Sequence, residues 1–292
     1  MVTWREVLTA DVGALRRSGV AAADSEARWI VGEATGHDGA ALVAHLDDPA
    51  TERALAYHDG MVARRVDGEP IQYVLGRWSF RTLDLAVDAR ALIPRPETEQ
   101  VVDVALAELD RLGGRERTRR VVDLGTGTGA IALSIAIERP RCEVDATDVS
   151  SDALALARAN LAGLGRAGAR VRLFQGPWFD ALPAERRGAF DLVVSNPPYV
   201  PDGDALDPSV DEWEPQTALR GGPDGLDHVR HILTTVPSWL AARGAVVLEL
   251  DPRQAEDAVS FATAVGLDEV EVFSDLSGRP RALRARSPRG TP

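Results

Sequence analysis

The segment Arg120-Val-Val-Asp-Leu124 runs directly into Gly125-Thr-Gly-Thr-Gly129 and then into Ala-Ile-Ala-Leu-Ser-Ile-Ala, and this junction constrains the fold more than any other stretch. A β-branched run, a turn of alternating glycines and a helical apolar run form a strand-loop-helix unit, because glycine accepts the sharp backbone angles and lets the chain pass close to a ligand. The next apolar run ends at Asp148, 19 residues beyond Gly129, the spacing at which an acidic side chain meets ribose hydroxyls in dinucleotide-type folds. The loop therefore predicts a site for a nucleotide-like cofactor, the alternative being a tight turn with no ligand. Both a nicotinamide and S-adenosylmethionine are compatible with it. Asp123 favours the second, since a carboxylate just before the loop can face the sulfonium-bearing amino acid part.

Around this unit the pattern alternates. Strands are predicted over 120–124, 142–147, 170–175, 190–195, 244–250 and 268–274, with helices over 129–138, 151–162, 226–241 and 253–265. Such alternation predicts an α/β fold, a parallel sheet with helices on both faces and ligands at the C-terminal ends of the strands. Upstream, apolar residues recur at helical spacing (Val7, Leu8, Val12, Leu15; Ala27, Ile30, Val31, Ala34), interrupted by Gly19, Gly36 and Pro49. Three segments follow: a helical domain over 1–74, a β-hairpin linker over 75–94, and the α/β domain over 95–286. Pro96 with acidic residues after it suits a helix N-terminus, and the composition passes into the α/β pattern after Gly113-Gly114. The Arg/Pro/Ser-rich tail from Arg284 is expected to be loose.

Charge narrows the function. The chain carries 45 acidic residues against 33 basic ones, a net charge of -12, which disfavours nucleic acid as a partner held by overall charge. Every basic residue is Arg, so Schiff-base and P-loop lysine chemistry are excluded. Cys142 is the single cysteine, no secretory leader follows Met1, and no apolar run approaches the ~20 residues of a membrane span. A reduced, cytoplasmic protein is expected. The histidines His37, His45, His58, His228 and His231 show no metal-ligand pairing, so no metal is expected.

The most specific stretch is Asp191-Leu-Val-Val-Ser-Asn-Pro-Pro-Tyr199, an apolar strand delivering an amide, two prolines and an aromatic ring to one edge of the sheet. A planar NH2 group has two hydrogens to donate, and the Asn196 side-chain oxygen and the Pro197 carbonyl can accept them. The prolines hold the backbone rigid. A carboxamide nitrogen is a poor nucleophile because its lone pair is delocalised; two such hydrogen bonds and in-line alignment with an electrophile would activate it, with no need of a metal or a covalent intermediate. The plainer alternative is an Asx turn after a strand.

Taken together, these residues resemble the N5-glutamine methyltransferases that modify peptide-chain release factors. The resemblance runs from the helical N-terminus to about residue 282. It includes Gly68-Glu-Pro-Ile-Gln-Tyr73 with Leu75-Gly76, Ile93-Pro-Arg-Pro-Glu-Thr-Glu99, Asp123 to Ala130, Asp148, Trp178-Phe179, Asn196 to Tyr199, Glu214-Pro215, Gly221-Gly222 and Asp224-Gly225. It implies a seven-stranded Rossmann-like class I S-adenosylmethionine-dependent methyltransferase domain, its last strand antiparallel, with a small N-terminal helical domain that helps dock the substrate. It implies that Gly125, Thr126, Gly127, Thr128 and Gly129 surround the methionine part of S-adenosylmethionine, that Asp148 binds the ribose and that Trp178 lies against the adenine. Asn196 would touch both cofactor and substrate. Asn196, Pro197 and Tyr199 would carry catalysis, with Pro198 completing the substrate pocket. The substrate implied is the glutamine of the Gly-Gly-Gln loop in class I release factors, the product S-adenosylhomocysteine.

Arg95, Glu97 and Glu99 are read as a helix start, not as site residues. The chain departs from the family pattern at Gly176-Pro177, where an acidic residue is usual, and at Leu250-Asp251, where a glycine is usual. Three rival functions share parts of the pattern: methylation of a ribosomal-protein glutamine, adenine-N6 methylation of nucleic acid and non-catalytic cofactor binding. Adenine chemistry would need a basic patch such as Arg115 to Arg120; the overall charge leads us to expect no nucleic-acid binding, and the short apolar runs no membrane.

Overall fold

A computed structural model describes residues 2–113 and 117–288. Gly114 of the expected transition and Arg115 of the arginine run lie outside the described residues. The chain divides into two contact units, one formed by the residues up to Arg77 with Asp207–Trp213, the other by Trp78–Leu206 with the remainder.

The first unit is helical: α1 (Trp4–Arg17), α2 (Ala23–Thr35), α3 (Gly39–His45), α4 (Glu52–Val66) and α5 (Ile71–Leu75). Thr3 and Glu6 form a reciprocal capping box that satisfies the first free amides of α1, and Gly36 in the left-handed conformation ends α2. Leu15, Ala27, Ile30, Met61 and Ile71 form its core. Within it, buried His58 on α4 contacts Asp11 of α1 through Nε2 at 2.7 Å and Asp59 through Nδ1 at 3.0 Å. Burial opposes a charge on this imidazole, but the two carboxylates outweigh it and raise its pKa.

A hairpin follows, β1 (Arg77–Phe80) and β2 (Leu83–Ala86), then α6 (Pro96–Arg111), with Pro96 at its first turn. Beyond it the chain alternates as β3 (Arg119–Leu124), α7 (Ala130–Glu138), β4 (Cys142–Asp148), α8 (Ser151–Ala162), β5 (Val171–Gln175) and β6 (Phe190–Ser195). After the short α9 (Pro208–Asp211), which belongs to the first unit, come α10 (Asp227–Thr235), β7 (Leu240–Glu249), α11 (Ala255–Ala264), β8 (Asp268–Ser274) and β9 (Pro280–Arg286). No helix among the described residues is long and apolar enough to cross a membrane.

The sheet runs β5-β4-β3-β6-β7-β9-β8. The first five strands pair in parallel, and β9 is antiparallel to both neighbours. This is the seven-stranded class I methyltransferase architecture. Strand order reverses between β3 and β6, so the chain diverges there and opens a crevice at their C-terminal ends. Register does the rest: Leu124 lies opposite both Thr147 of β4 and Ser195 of β6. Gly125, Asp148 and Asn196 therefore leave the sheet side by side.

Two expectations are corrected. The helix expected over 226–241 stops at Thr235, because Pro237 has no N–H to continue the ladder; one 3-10 turn follows, and the strand starts at Leu240 instead of residue 244. The tail from Arg284 is not loose in its first part. Arg284 and Arg286 end β9, whose Ala282, Leu283 and Ala285 are buried. Arg284 pairs with Glu271, and Arg286 pairs with Glu269 and with Glu108 of α6 at 2.7 Å. An arginine-rich strand survives inside the sheet because each charge meets a carboxylate.

Candidate active site

Gly125, Gly127 and Gly129 all have positive φ, 70°, 55° and 87°, the region that a side chain resists. A Cβ on Gly125 would stand 3.3 Å from the Trp178 ring. At Gly125 space and backbone angle both disfavour a side chain; at Gly127 it is the angle alone. The backbone here is thus a cradle. Asp148 fixes its rim: one carboxylate oxygen accepts from Gly127 N–H and the other from Ser150 N–H, each at 2.9 Å. Burial raises the Asp148 pKa, while these backbone donors oppose the rise.

Beside the cradle lies a cavity of about 620 Å³, lined among others by Gly125, Thr126, Gly127, Thr128, Asp148, Trp178, Asn196 and Pro198. Gly129, Pro197 and Tyr199 are not among its walls. Gly129 caps α7 instead, Pro197 is buried, and Tyr199 turns toward Glu249. Trp178 sits at φ 48°, its ring 5.2 Å from that of His228, which also lines the cavity. Phe179 points away into the core against Trp239.

Asp123 does not reach the cavity. It is fully buried beneath the loop, where one oxygen accepts from Thr126 Oγ1 at 2.6 Å and from Ala132 N–H at 3.1 Å and the other has no partner. The contact expected for it with a cofactor's amino acid part is thus replaced by loop support. Burial pushes its pKa up to about 7.

At the other edge, Asn196 Nδ2 donates to Thr98 Oγ1 at 3.2 Å, and Thr98 Oγ1 donates to Glu249 Oε2 at 2.6 Å. The Tyr199 hydroxyl donates to Glu249 Oε1 at 3.2 Å. Burial pushes Glu249 up to about 7 against the pull of these two donors. It also drives Tyr199 far above its ordinary value, with the Glu249 charge adding to it, so the phenol stays protonated. Sequence reasoning did not select Thr98 or Glu249. Thr98 stood inside the quoted 93–99 block, but nothing local marked its hydroxyl.

The loop after β6 rests on residues 219–225. Val200 N–H donates to Leu219 O and Gly221 N–H to Val200 O, each at 2.9 Å, and Gln254 Nε2 donates to Tyr199 O at 2.8 Å. Gly225, at φ 77°, fits because a Cβ there would lie 2.2 Å from the Tyr199 carbonyl oxygen. Gly225→Ala is expected to cost about 3 kcal/mol, read from urea unfolding; an unchanged midpoint would contradict this packing. Nearby, buried Glu214 accepts from Ile93 N–H at 3.1 Å and pairs with Arg95, and Pro94 and Pro215 line the cavity. Glu99 accepts from Arg81 N–H at 2.9 Å, a structural role.

A pH dependence of stability follows. Charged His58 stabilises the fold below its unfolded value of about 6.5, and that contribution is lost as pH rises through its higher folded value. Asp123 and Glu249 favour their neutral forms in the fold, so their contribution is present below their ordinary values of 3.8 and 4.5 and is lost as pH rises through about 7. All three act in one direction. The melting temperature of the ligand-free protein should fall between about pH 5.5 and pH 8, and Asp123→Asn should flatten that decline in a calorimetric series.

Comparison with known proteins adds the following. A family model described as methyltransferase small domain matches residues 100–212, and one described as PrmC N-terminal domain matches residues 6–76. A release factor glutamine methyltransferase of Geobacter sulfurreducens is 39% identical over 286 residues, covering 97% of this chain and 96% of its own. Those of Cereibacter sphaeroides (39%; 97% of this chain, 98% of its own) and Deinococcus radiodurans (38%; 97% and 98%) are similar. Among solved structures, a methyltransferase from Pyrococcus furiosus superposes with a TM-score of 0.52 at 19% identity, covering 77% of this chain and 96% of its own. The hMettl16 catalytic domain gives 0.53 at 16% identity, covering 80% and 82%. At these identities the two structures speak for the fold alone.

Proposed function

This chain belongs to the release factor glutamine methyltransferase family, and from that premise we propose that it methylates the side-chain amide nitrogen of the glutamine in the Gly-Gly-Gln loop of class I release factors. The methyl donor is S-adenosylmethionine, which leaves as S-adenosylhomocysteine. The family membership and the fold make the chain a methyltransferase; the donor, the modified atom and the residues in their roles rest on the site. The N-terminal helical unit is assigned to docking of the release factor.

The residues fit the donor. A cradle without side chains at Gly125 and Gly127, a carboxylate at its rim and the Trp178 ring suit an adenosine with an amino acid arm. Gly125 to Thr128 would hold the methionine part, with Gly129 turning the chain into α7 behind them, Asp148 the ribose and Trp178 the adenine. Bound there, S-adenosylmethionine supplies an electrophilic methyl on a sulfonium.

One observation carries the amide chemistry. Among the described residues the Asn196 side chain makes one hydrogen bond, which its NH2 group donates to Thr98, so Asn196 Oδ1 is the atom left to accept. A substrate carboxamide can give one N–H to that oxygen; the acceptor assigned to the other is the carbonyl of Pro197, a residue buried behind the cavity wall that Asn196 and Pro198 form. Both acceptors draw on hydrogens and not on the lone pair. They raise electron density at nitrogen and turn its free direction toward the donor, an alignment worth about 7 kcal/mol or more. The nitrogen's lone pair takes the methyl, the methyl–sulfur bonding pair stays on sulfur, and one N–H proton passes to solvent. Protonated Tyr199 is no base for it. It supports the loop through Glu249, while Pro198 forms the wall beside the glutamine.

The decisive experiment is mass spectrometry of a purified class I release factor and its Gln→Ala loop variant after incubation with the protein and S-adenosylmethionine. One added methyl on the wild-type loop peptide alone is expected. A methyl elsewhere, or on both proteins, would refute the assignment.

A further inference from the structure

We propose that Thr98 and Glu249 are positioning residues that determine which end of the Asn196 amide meets the substrate, an inference resting on the amide-holding reading above. An asparagine amide is nearly symmetric in shape but opposite in function at its two ends. With Oδ1 toward the substrate it accepts from the glutamine NH2; flipped, it confronts one donor with another. Something must choose, and nothing in the Asn-Pro-Pro-Tyr stretch does so.

Thr98 makes the choice by counting hydrogens. Its hydroxyl has one, and that hydrogen is committed to Glu249 Oε2 at 2.6 Å. Toward Asn196, 3.2 Å away, Thr98 Oγ1 can therefore only accept. The amide must present NH2 inward and keep Oδ1 outward. Glu249 sets this polarity in its ionised form, which has nothing to donate and accepts two donors, Thr98 at Oε2 and the Tyr199 hydroxyl at Oε1. Thr98, Glu249 and Asn196 come from α6, β7 and the loop after β6. Thr98 and Glu249 are 4% and 0% exposed, so the bond between them is shielded from water. Neither residue need touch the reacting atoms.

Thr98→Val keeps the shape and removes the hydroxyl, whereas Thr98→Ser keeps the hydroxyl. With the wild type as reference, kcat for glutamine methylation and the calorimetric cofactor Kd are measured for both. Thr98→Val should lower kcat about tenfold or more with the cofactor Kd unchanged within about twofold, and Thr98→Ser should stay within about threefold of wild type. The side-chain amide NMR signal of Asn196, identified by its loss in Asn196→Ala, should shift in Thr98→Val and not in Thr98→Ser. A purely structural role would lower the melting temperature of Thr98→Val but leave kcat and the Asn196 signal in place. Wild-type kcat in Thr98→Val, or an equal loss in both variants, would overturn the proposal. If the wild-type protein binds cofactor yet leaves glutamine unmodified, the functional reading fails and takes the proposal with it, a result recognisable because no substitution is involved.

Discussion

Asn196→Ala should lower methyl transfer to glutamine by about three orders of magnitude while the cofactor Kd stays within about twofold. On the proposed reading the side chain supplies the acceptor that holds one substrate hydrogen, and a glutamine without it would rotate away from the line of attack. Its removal leaves the glycine cradle and Asp148 intact, since neither bonds to Asn196. Single-turnover rates with saturating S-adenosylmethionine, beside a calorimetric Kd, separate the two quantities. A variant that turns over at near-wild-type rate would dispose of the amide-holding mechanism.

Asp148→Ala should produce the opposite split, weakening cofactor binding by about a hundredfold and changing the rate at saturation far less. Two losses combine. On the proposed reading the ribose hydroxyls would lose their acceptor, and Gly127 and Ser150 lose the carboxylate that both backbone amides donate to, so the cradle also loses its rim. Titration calorimetry reads the affinity directly. An unchanged Kd would show that the ribose lies elsewhere.

The features that could be read from the sequence are those whose physics is local. Gly125, Gly127 and Gly129 announce a backbone conformation, and the proline pair after Asn196 announces a rigid edge; each signal sits within a few residues of its cause. The alternation of strands and helices likewise placed both loops at strand ends, and the register of Leu124 with Thr147 and Ser195 turned that into adjacency. Thr98 and Glu249 stayed hidden because their meaning depends on a hydroxyl and a carboxylate 151 positions apart meeting at one point. Asp123 shows the converse hazard: position suggested a ligand contact, and burial assigned it to Thr126 and Ala132 instead. Arg284 and Arg286 misled through composition, since charge read along the chain says nothing about Glu271 and Glu269 waiting on the neighbouring strand.

Those glutamates belong to a sheet that cannot be assembled in the order in which it is synthesised. Strand β9 lies between β7 and β8, so β8 has no partner until residues 280–286 have been made, and the edge of β7 stays open for as long. A nascent chain halted after β8 would present two unpaired strand edges, the kind of surface on which chains aggregate. Closure awaits a segment in which three of seven residues are arginine, and a strand so charged is a poor template for pairing with strangers. The residues from Arg284, expected to be loose, thus complete a strand that closes the sheet last, with carboxylates of β8 in place to meet them.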